Sequence, residues 1–308
     1  MKARRIPRDD LGADMATALS RHSIYSAPET AALWHSMGGR DVYWIVEESN
    51  EACVVLTGVE FGRGPIARFQ AMPDGLPGGA YYPDGARSGD RTVDESLFEA
   101  IRNHGYAKVF FTDFGCVHTP PDYYDSVDCE TDMLDLDAED WAPADKKLRS
   151  EIRKAEREGV TVEPFAADRD FEPFIRLMEA TERRHGRAPK YSSDFYKALA
   201  ALCERDDRIW WRVVNHEGRM AASHIYVLDG TIALYWQAFL DKEMSYLKAN
   251  QYMLYSTAQA MRERGVLALN LGQSPAEADG LSAFKGKWGA QPYCYSMYTS
   301  QSLLGRLA

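Results

Sequence analysis

The segment WWRVVNHEGRMAASHIYVLDGTIALYWQAFLD, residues 210–241, contains three strand patterns separated by two short polar turns. The strand patterns are rich in Val, Ile, Trp, Tyr and Phe, which favour extended structure. HEGR (216–219) and LDGT (228–231) each combine a glycine with an acidic residue, as turns commonly do. We therefore predict a three-stranded antiparallel meander.

Upstream of this meander, the sequence predicts one strand and two helices. VTVEPF (160–165) is a strand pattern, and DFEPFIRLMEATERRHG (170–186) and SDFYKALAALCERD (193–206) are helical patterns.

Downstream, NQYMLYSTAQAMRERG (250–265) predicts a helix with Asn250 as its cap and Gly265 as its stop. Its apolar face comprises Met253, Leu254, Thr257, Ala258 and Met261. VLALNLG (266–272), GLSAFKGKWG (280–289) and QPYCYSMYTS (291–300) predict a strand, a short helix and a final strand. A meander that feeds a helix and then a parallel strand is a mixed-sheet α/β unit.

The first half of the chain shows a similar order of elements. Residues 41–62 predict two strands around a polar turn, and ARFQAM (67–72) continues as a third. TVDESLFEAIRNHG (92–105) predicts a helix, capped by Asp94 or Thr92, before the strand AKVFFTDF (107–114).

The α/β unit therefore occurs twice, although the halves are not alike in sequence and the duplication is inferred from element order alone. We predict an α/β (α+β) fold of two domains, 1–144 and 145–308, each a mixed, mostly antiparallel sheet flanked by helices. The division is expected within LDAEDWAPADKK (136–147).

Composition excludes several classes of protein. The formal net charge of -10 disfavours general nucleic-acid affinity, because phosphate binding needs clustered Lys and Arg. No run approaches the ~18 apolar residues of a membrane span, and the charged amino terminus lacks a signal-peptide core, so we expect a cytoplasmic protein.

The histidines show no metal-ligand spacing, and no metal or covalently bound cofactor is expected.

The cysteines indicate neither a disulfide framework nor a zinc site. They are odd in number, far apart and without a CxxC pair. We expect reduced, mostly buried thiols at Cys53, Cys116, Cys129, Cys203 and Cys294.

One segment is locally basic. KKLRSEIRKAERE (146–158) carries six Lys and Arg residues on a helical pattern. Interleaved glutamates favour a solvated helix with surface salt bridges over a polyanion site. Lys147 and Arg153 are the candidates for contact with an anionic ligand.

The order of LYWQAF (234–239), AN (249–250) with its helix, LNLGQS (269–274) and GLSAFKGKWGA (280–290) resembles the GNAT-like domains of the FemAB family. In that family two GNAT-type domains pack together, and members of known activity transfer an aminoacyl group from aminoacyl-tRNA to an amine of a peptidoglycan precursor. In the best-known members a lysine of the first domain binds the diphosphate of the acceptor. The corresponding segment here, LWHSMGG (33–39), contains no such lysine.

The resemblance also implies site residues. The family's catalytic lysine on the FK-containing helix matches Lys285, and tyrosines that contact the acceptor match Tyr235 and Tyr191. An arginine four positions before the second tyrosine matches Arg187. Asn250 and Ser274 complete the candidate substrate-binding residues, and Lys248 and Lys287 join Lys147 and Arg153 as candidates for binding the donor's phosphates.

The donor is indicated by what the helix at 250–265 lacks. A GNAT acetyltransferase binds the coenzyme A pyrophosphate on backbone amides that open its central helix, with a glycine for close approach. SYLKANQYM (245–253) offers no glycine, which favours aminoacyl-tRNA over acetyl-CoA. Asp241 and Glu243 are the candidate general bases.

We therefore predict an amide-forming N-acyltransferase that uses aminoacyl-tRNA and a peptide or amine-bearing small-molecule acceptor. Two alternatives stay open: an acetyl-CoA-dependent N-acetyltransferase, and a non-catalytic binding protein of the same fold. The resemblance to GNAT folds implies that the strands TIALYWQAFL (231–240) and VLALNLG (266–272) splay, which would free backbone amides for the acyl group, while Lys285 offsets the negative charge of the intermediate. The acceptor's identity and the oligomeric state do not follow from the sequence.

Overall fold

A computed structural model describes residues 1–83, 85, 89–274 and 279–302, the side chain of Asp279 excepted. The described strands are β1 Lys2–Pro7, β2 Gly39–Glu48, β3 Glu51–Phe61, β4 Arg68–Ala71, β5 Ala80–Tyr81, β6 Lys108–Asp113, β7 Asp125–Asp135, β8 Glu163–Pro164, β9 Ile209–His216, β10 Arg219–Asp229, β11 Ile232–Leu240, β12 Ala268–Asn270 and β13 Gln291–Gln301. The described helices are α1 Ala13–His22, α2 Pro28–Ala31, α3 Arg91–Asn103, α4 Lys146–Arg157, α5 Ala167–Arg184, α6 Ser193–Cys203, α7 Ala249–Glu263 and α8 Asp279–Trp288.

The chain forms two compact units. Unit 1 contains Met1–Cys129 and the chain from Cys294, and unit 2 is Glu130–Tyr293. Each division falls within a long strand, the first in β7 and the second in β13. The domain boundary at 144/145 stays a prediction, and the packing divides the chain at these other positions.

Unit 1 is built on a mixed sheet in the order β1-β2-β3-β4-β6-β13, with β5 beside β3. Its hairpin β2–β3 turns through Ser49 and Asn50, whose φ angles of 54° and 67° are left-handed, as such a two-residue turn requires. Only β4 and β6 run parallel within that order. The predicted strands and helix of this half are confirmed, whereas β1, α1 and β7 were not predicted.

The cap of α3 differs from the prediction. Asp90 caps the helix by accepting a hydrogen bond from the Thr92 amide at 2.9 Å. Asp94 is instead fully buried, and it accepts from the Tyr82 hydroxyl at 3.0 Å and the Thr119 amide at 3.0 Å. A carboxylate already occupied by buried donors cannot serve as a helix cap.

Unit 2 contains the strands β12-β11-β10-β9-β8 in that order, with β7 beside β12. The predicted meander is confirmed, since β9, β10 and β11 pair antiparallel. β12 pairs parallel with β11 and antiparallel with β7. The strand predicted at 160–165 is reduced to the two residues of β8.

The central helix of unit 2 buries the predicted apolar face. Met253, Leu254, Thr257, Ala258 and Met261 are all buried. The cap is Lys248, held at φ 56° without a side-chain hydrogen bond, and not Asn250. Asn250 lies inside the first turn, where its side chain contacts His224.

The cysteines correct a further expectation. Only Cys53 is buried, while Cys129 and Cys203 are half-buried and Cys116 and Cys294 are exposed. No described helix is long and apolar enough to cross a membrane.

Candidate active site in the second unit

β11 and β12 separate after a short paired stretch, and the gap between the two strands is called the cleft below. The two strands pair only over Ile232–Leu234 and Ala268–Asn270. β11 then continues to Leu240 along β10, and no described strand pairs with its other edge beyond Leu234. Between Leu234 and Leu240 the backbone groups on that edge lack a strand partner, as the predicted splaying requires, and at its end the Leu240 carbonyl accepts from Thr181 and Arg184 instead.

Lys285 lies in the interior beside this cleft. Its side chain is 1% exposed, and Nζ donates to Asp132 Oδ2 at 2.9 Å and to the Gly272 carbonyl at 2.5 Å. Burial lowers the pKa of Lys285, and the ion pair with Asp132 opposes that shift. Lys287, two residues further along the same helix, is exposed.

Aromatic packing explains why α8 turns Lys285 inward. Trp288, three residues further on, lies on the same side of the helix and is 1% exposed. Its ring stacks on Trp141 with centroids 6.4 Å apart, and Phe284 meets it at 6.1 Å. The aromatic residues anchor the helix, and Lys285 follows them into the core.

Asp132 is a functional candidate that the sequence analysis missed. It accepts from Ser274 Oγ at 3.0 Å as well as from Lys285, so the structure brings Ser274 into the lysine's surroundings. Backbone hydrogen bonds hold it there, since the Leu271 amide donates to the Asp132 carbonyl at 2.8 Å. Asp132 belongs to β7, which the pattern of hydrophobic residues did not reveal, and no motif marked it.

A second polar cluster surrounds the buried His224 on β10. The Tyr226 hydroxyl lies 2.9 Å from Nδ1, and Asn250 Oδ1 lies 2.8 Å from Nε2. Because an amide oxygen only accepts, Nε2 carries the proton, and Nδ1 accepts from Tyr226. The Tyr235 oxygen, 3.0 Å from Nε2, shares that proton as a second acceptor.

Burial sets the protonation of this cluster. It lowers the pKa of His224 to about 4 and raises the pKa of Tyr235 well above its usual range. The imidazole is therefore neutral at physiological pH, and the phenol keeps its proton.

Strand register shows where the separation of β11 and β12 begins. Leu234 is the partner of Asn270, so Tyr235 comes directly after the last paired residue. Asn270 Oδ1 accepts from the Gly272 amide at 2.8 Å and thereby fixes the turn whose carbonyl contacts Lys285. The separation of the strands thus begins next to Tyr235 on β11, and Lys285 of α8 contacts the turn that follows β12.

Tyr191 and Arg187 occupy other positions. Tyr191 is buried, stacked on Phe195 at 4.1 Å and 6.1 Å from the ring of Trp236, the neighbour of Tyr235. Arg187 is largely exposed and pairs with the buried Glu182. Tyr191 is connected to the Tyr235 strand through Trp236, whereas Arg187 makes no described contact with Tyr235 or Lys285.

Three of the four basic residues proposed for donor binding, Lys147, Arg153 and Lys287, lie on two helices that meet. The Asp145 amide donates to the Lys287 carbonyl at 2.9 Å, which joins the start of α4 to the end of α8. Lys146, Lys147, Arg153 and Lys287 are exposed and are called the basic face below. Lys248 is half-buried and pairs with Glu151 of α4 at 3.2 Å.

The predicted general bases do not fit a reaction at Tyr235. Asp241 and Glu243 both pair with Arg219, at 2.6 Å and 2.7 Å. Asp241 follows Tyr235 by six positions along an extended strand, which corresponds to about 20 Å. Among the described residues, no group of three His, Cys, Asp or Glu side chains could hold a metal ion.

Comparisons with known proteins agree with this architecture. Residues 144–286 match the family model described as an acetyltransferase (GNAT) domain. No curated protein matches the chain. Among solved structures, FemX is 13% identical with a TM-score of 0.71, and the alignment covers 100% of this chain and 99% of that chain.

Two further solved structures are similar. L-PGS from Bacillus licheniformis is 15% identical over 96% of each chain, with a TM-score of 0.62. A tandem GNAT protein from the clavulanic acid biosynthesis pathway is 12% identical, with a TM-score of 0.56 and coverage of 97% of this chain and 98% of that chain. At such identities the likeness concerns the fold, and it confirms the predicted class of tandem, mixed-sheet GNAT-like domains.

Proposed function

We propose, from the premise that this chain is an acyltransferase with a GNAT domain at residues 144–286 and a FemAB-like fold, that it transfers an aminoacyl group from aminoacyl-tRNA to an amine. The observation that carries the proposal is the buried Lys285 beside the gap between β11 and β12. A charged ammonium in the interior needs a partner, and here a single carboxylate and one carbonyl hold it at a cleft.

The reaction needs alignment and charge stabilisation more than a nucleophilic side chain. A neutral amine attacks the ester carbonyl, a C–N bond forms, and the ester C–O bond breaks. The leaving ribose oxygen takes up the proton that the amine loses, so atoms and charge balance without a dedicated base. Unpaired amides of β11 bind the acyl oxygen, and Lys285 stabilises the negative charge that develops on it.

The start of α7 favours an RNA donor over coenzyme A. Pyrophosphate binds best where several free amides and a glycine permit close approach. Here Lys248 occupies the cap, and its charge is partly neutralised by Glu151 at 3.2 Å. The basic face, in contrast, presents exposed cations suited to the phosphates of an acceptor stem.

Structural neighbours support an aminoacyl group as the transferred unit. One of them, with a TM-score of 0.61, is described as the C-terminal domain of a putative lysylphosphatidylglycerol synthetase. The name of that protein includes a lysyl group, which is an aminoacyl group. FemX is the more similar of the two in structure, with a TM-score of 0.71.

A donor comparison tests the proposal. The purified protein is incubated with mixed amines and either total aminoacyl-tRNA or acetyl-CoA, and products are identified by mass spectrometry. We expect new aminoacyl amides with the tRNA donor. Acetylated products in the coenzyme A arm alone would contradict the proposal and favour an N-acetyltransferase.

The acetyl-CoA alternative has its own signature. The tandem GNAT neighbour is described as a structure without AcCoA, a description that names this donor and keeps it as the second candidate. A ligand of the native state raises the melting temperature by mass action. We expect no rise with coenzyme A at millimolar concentration, and a clear rise would support the second candidate.

Charge reversal on the basic face is expected to weaken the RNA donor specifically. Lys147→Glu combined with Arg153→Glu should raise KM for aminoacyl-tRNA by about tenfold or more at moderate salt and flatten its salt dependence, because two phosphate contacts are lost. The control is Arg21→Glu, at an exposed position of α1. Equal effects of the two changes would show a general response to net charge.

The two tyrosines on His224 are expected to differ in function. Tyr235→Phe should lower kcat about tenfold, because Tyr235 directly follows the last β11 residue that pairs with β12, with little change in melting temperature. Tyr226→Phe removes a fully buried partner of the same imidazole and should cost about 1–2 kcal/mol of stability while sparing kcat. Loss of activity in the second variant alone would remove Tyr235 from the mechanism.

A further inference from the structure

A cavity of 510 Å³ lies in unit 2, away from Lys285 and Tyr235. It is formed by one side of α5, the turn between β9 and β10, and the chain just after β11. Its floor is apolar, with Leu177 and Met220 buried and Leu240 half-buried. A cavity of this size with an apolar floor is typical of sites for small molecules.

The rim of the cavity carries an excess of positive charge. Arg176, Arg184, Arg219 and Lys242 line it, against the carboxylates of Asp241 and Glu243. Four cations and two anions leave two positive charges, in a chain whose formal net charge is -10. The excess is therefore local and opposite in sign to the rest of the molecule.

Part of this charge is already used within the protein. Arg219 pairs with both carboxylates, and Arg184 donates to the Leu240 carbonyl at 3.0 Å. Arg176 and Lys242 form no ion pair with any residue that the structure describes, and both are exposed. These two side chains are available to an anionic ligand.

We propose that this cavity binds a carboxylate attached to an apolar body. The apolar floor receives the body, and the guanidinium of Arg176 together with the ammonium of Lys242 receives the carboxylate. A peptide ending in an aliphatic residue and a medium-chain fatty acid share this chemistry. The cavity uses neither Lys285 nor Tyr235, and it meets β11 only at its last residue, Leu240, so its binding is tested separately from the proposed acyl transfer.

Isothermal titration calorimetry of the full chain tests the site with two matched pairs of probes. N-acetyl-Ala-Leu is compared with its C-terminal amide, and octanoate with octanol. At least one acid should bind with a Kd on the order of 1 mM or below, and its neutral partner at least about tenfold more weakly. The acid that binds identifies the source of the carboxylate, and either result supports the site.

Variants locate the binding. Arg176→Gln combined with Lys242→Gln should weaken binding of the acid about tenfold, and Ala180→Trp should abolish it by filling the cavity. Arg21→Gln on α1 is the matched control and should have no effect. The proposal is overturned if neither acid binds the wild type, if acid and neutral partner bind equally, or if the control weakens binding as much as the cavity variant.

Discussion

Replacement of Lys285 by methionine is expected to lower kcat about a hundredfold. A well-placed charged donor contributes on the order of 3 kcal/mol to stabilising a developing oxyanion, and methionine keeps the length of the side chain without its charge. Activity is measured under saturating donor and acceptor. The same substitution also leaves Asp132 without its cationic partner, which is expected to cost about 1–3 kcal/mol of stability.

A double variant separates these two effects. In Lys285→Met with Asp132→Asn, no unpaired carboxylate remains, so most of the lost stability should return in a urea titration. Turnover should not return, because the cation is still missing. Near wild-type turnover in the double variant would show that Lys285 only neutralises Asp132, and it would remove the lysine from the mechanism.

The stability of the protein is expected to depend on pH through His224. Its pKa is about 4 in the folded state against 6.5 for an ordinary histidine, because the imidazole is buried neutral. The unfolded state therefore takes up a proton first as pH falls. The contribution of His224 to the free energy of unfolding is fully present above pH 6.5. It is lost progressively as the pH falls to about 4, and the total loss is about 3 kcal/mol.

His224→Gln isolates this contribution from other titrating groups. Glutamine can donate to Asn250 and accept from Tyr226 but does not titrate. We expect the difference in unfolding free energy between pH 7 and pH 4.5 to be about 2 kcal/mol smaller in the variant. Identical pH dependence of the two proteins would mean that the imidazole is not held neutral.

Local pattern predicted most of the unit that carries the site. The meander β9–β11, the helices α4 to α8 and the buried face of α7 follow from alternation, turn glycines and helical periodicity. The fold class was also confirmed. β7 was missed because the residues that alternate with its acidic positions in DSVDCETDMLD, such as Cys129 and Thr131, are only weakly hydrophobic.

The site was only partly predictable because its partners are distant in sequence. Lys285 and Asp132 are joined by an ion pair that no local pattern reveals. Asn250 was predicted as a helix cap, but its side chain forms a hydrogen bond with His224. Lys248 occupies the N-cap position instead, in a left-handed conformation. The splayed strands were expected from family resemblance and from the need for free amides, not from the residues themselves.

Hydrogen exchange of β11 tests the central claim most directly. The ligand is a stable donor mimic, an RNA hairpin whose terminal adenosine carries an amide-linked aminoacyl group. We expect slower exchange in the peptide that contains Tyr235–Leu240, because the mimic binds amides that have no β12 partner, and no slowing with coenzyme A. Unchanged exchange in that peptide under saturating mimic, or equal slowing with coenzyme A alone, would contradict an aminoacyl-tRNA site in the β11–β12 cleft.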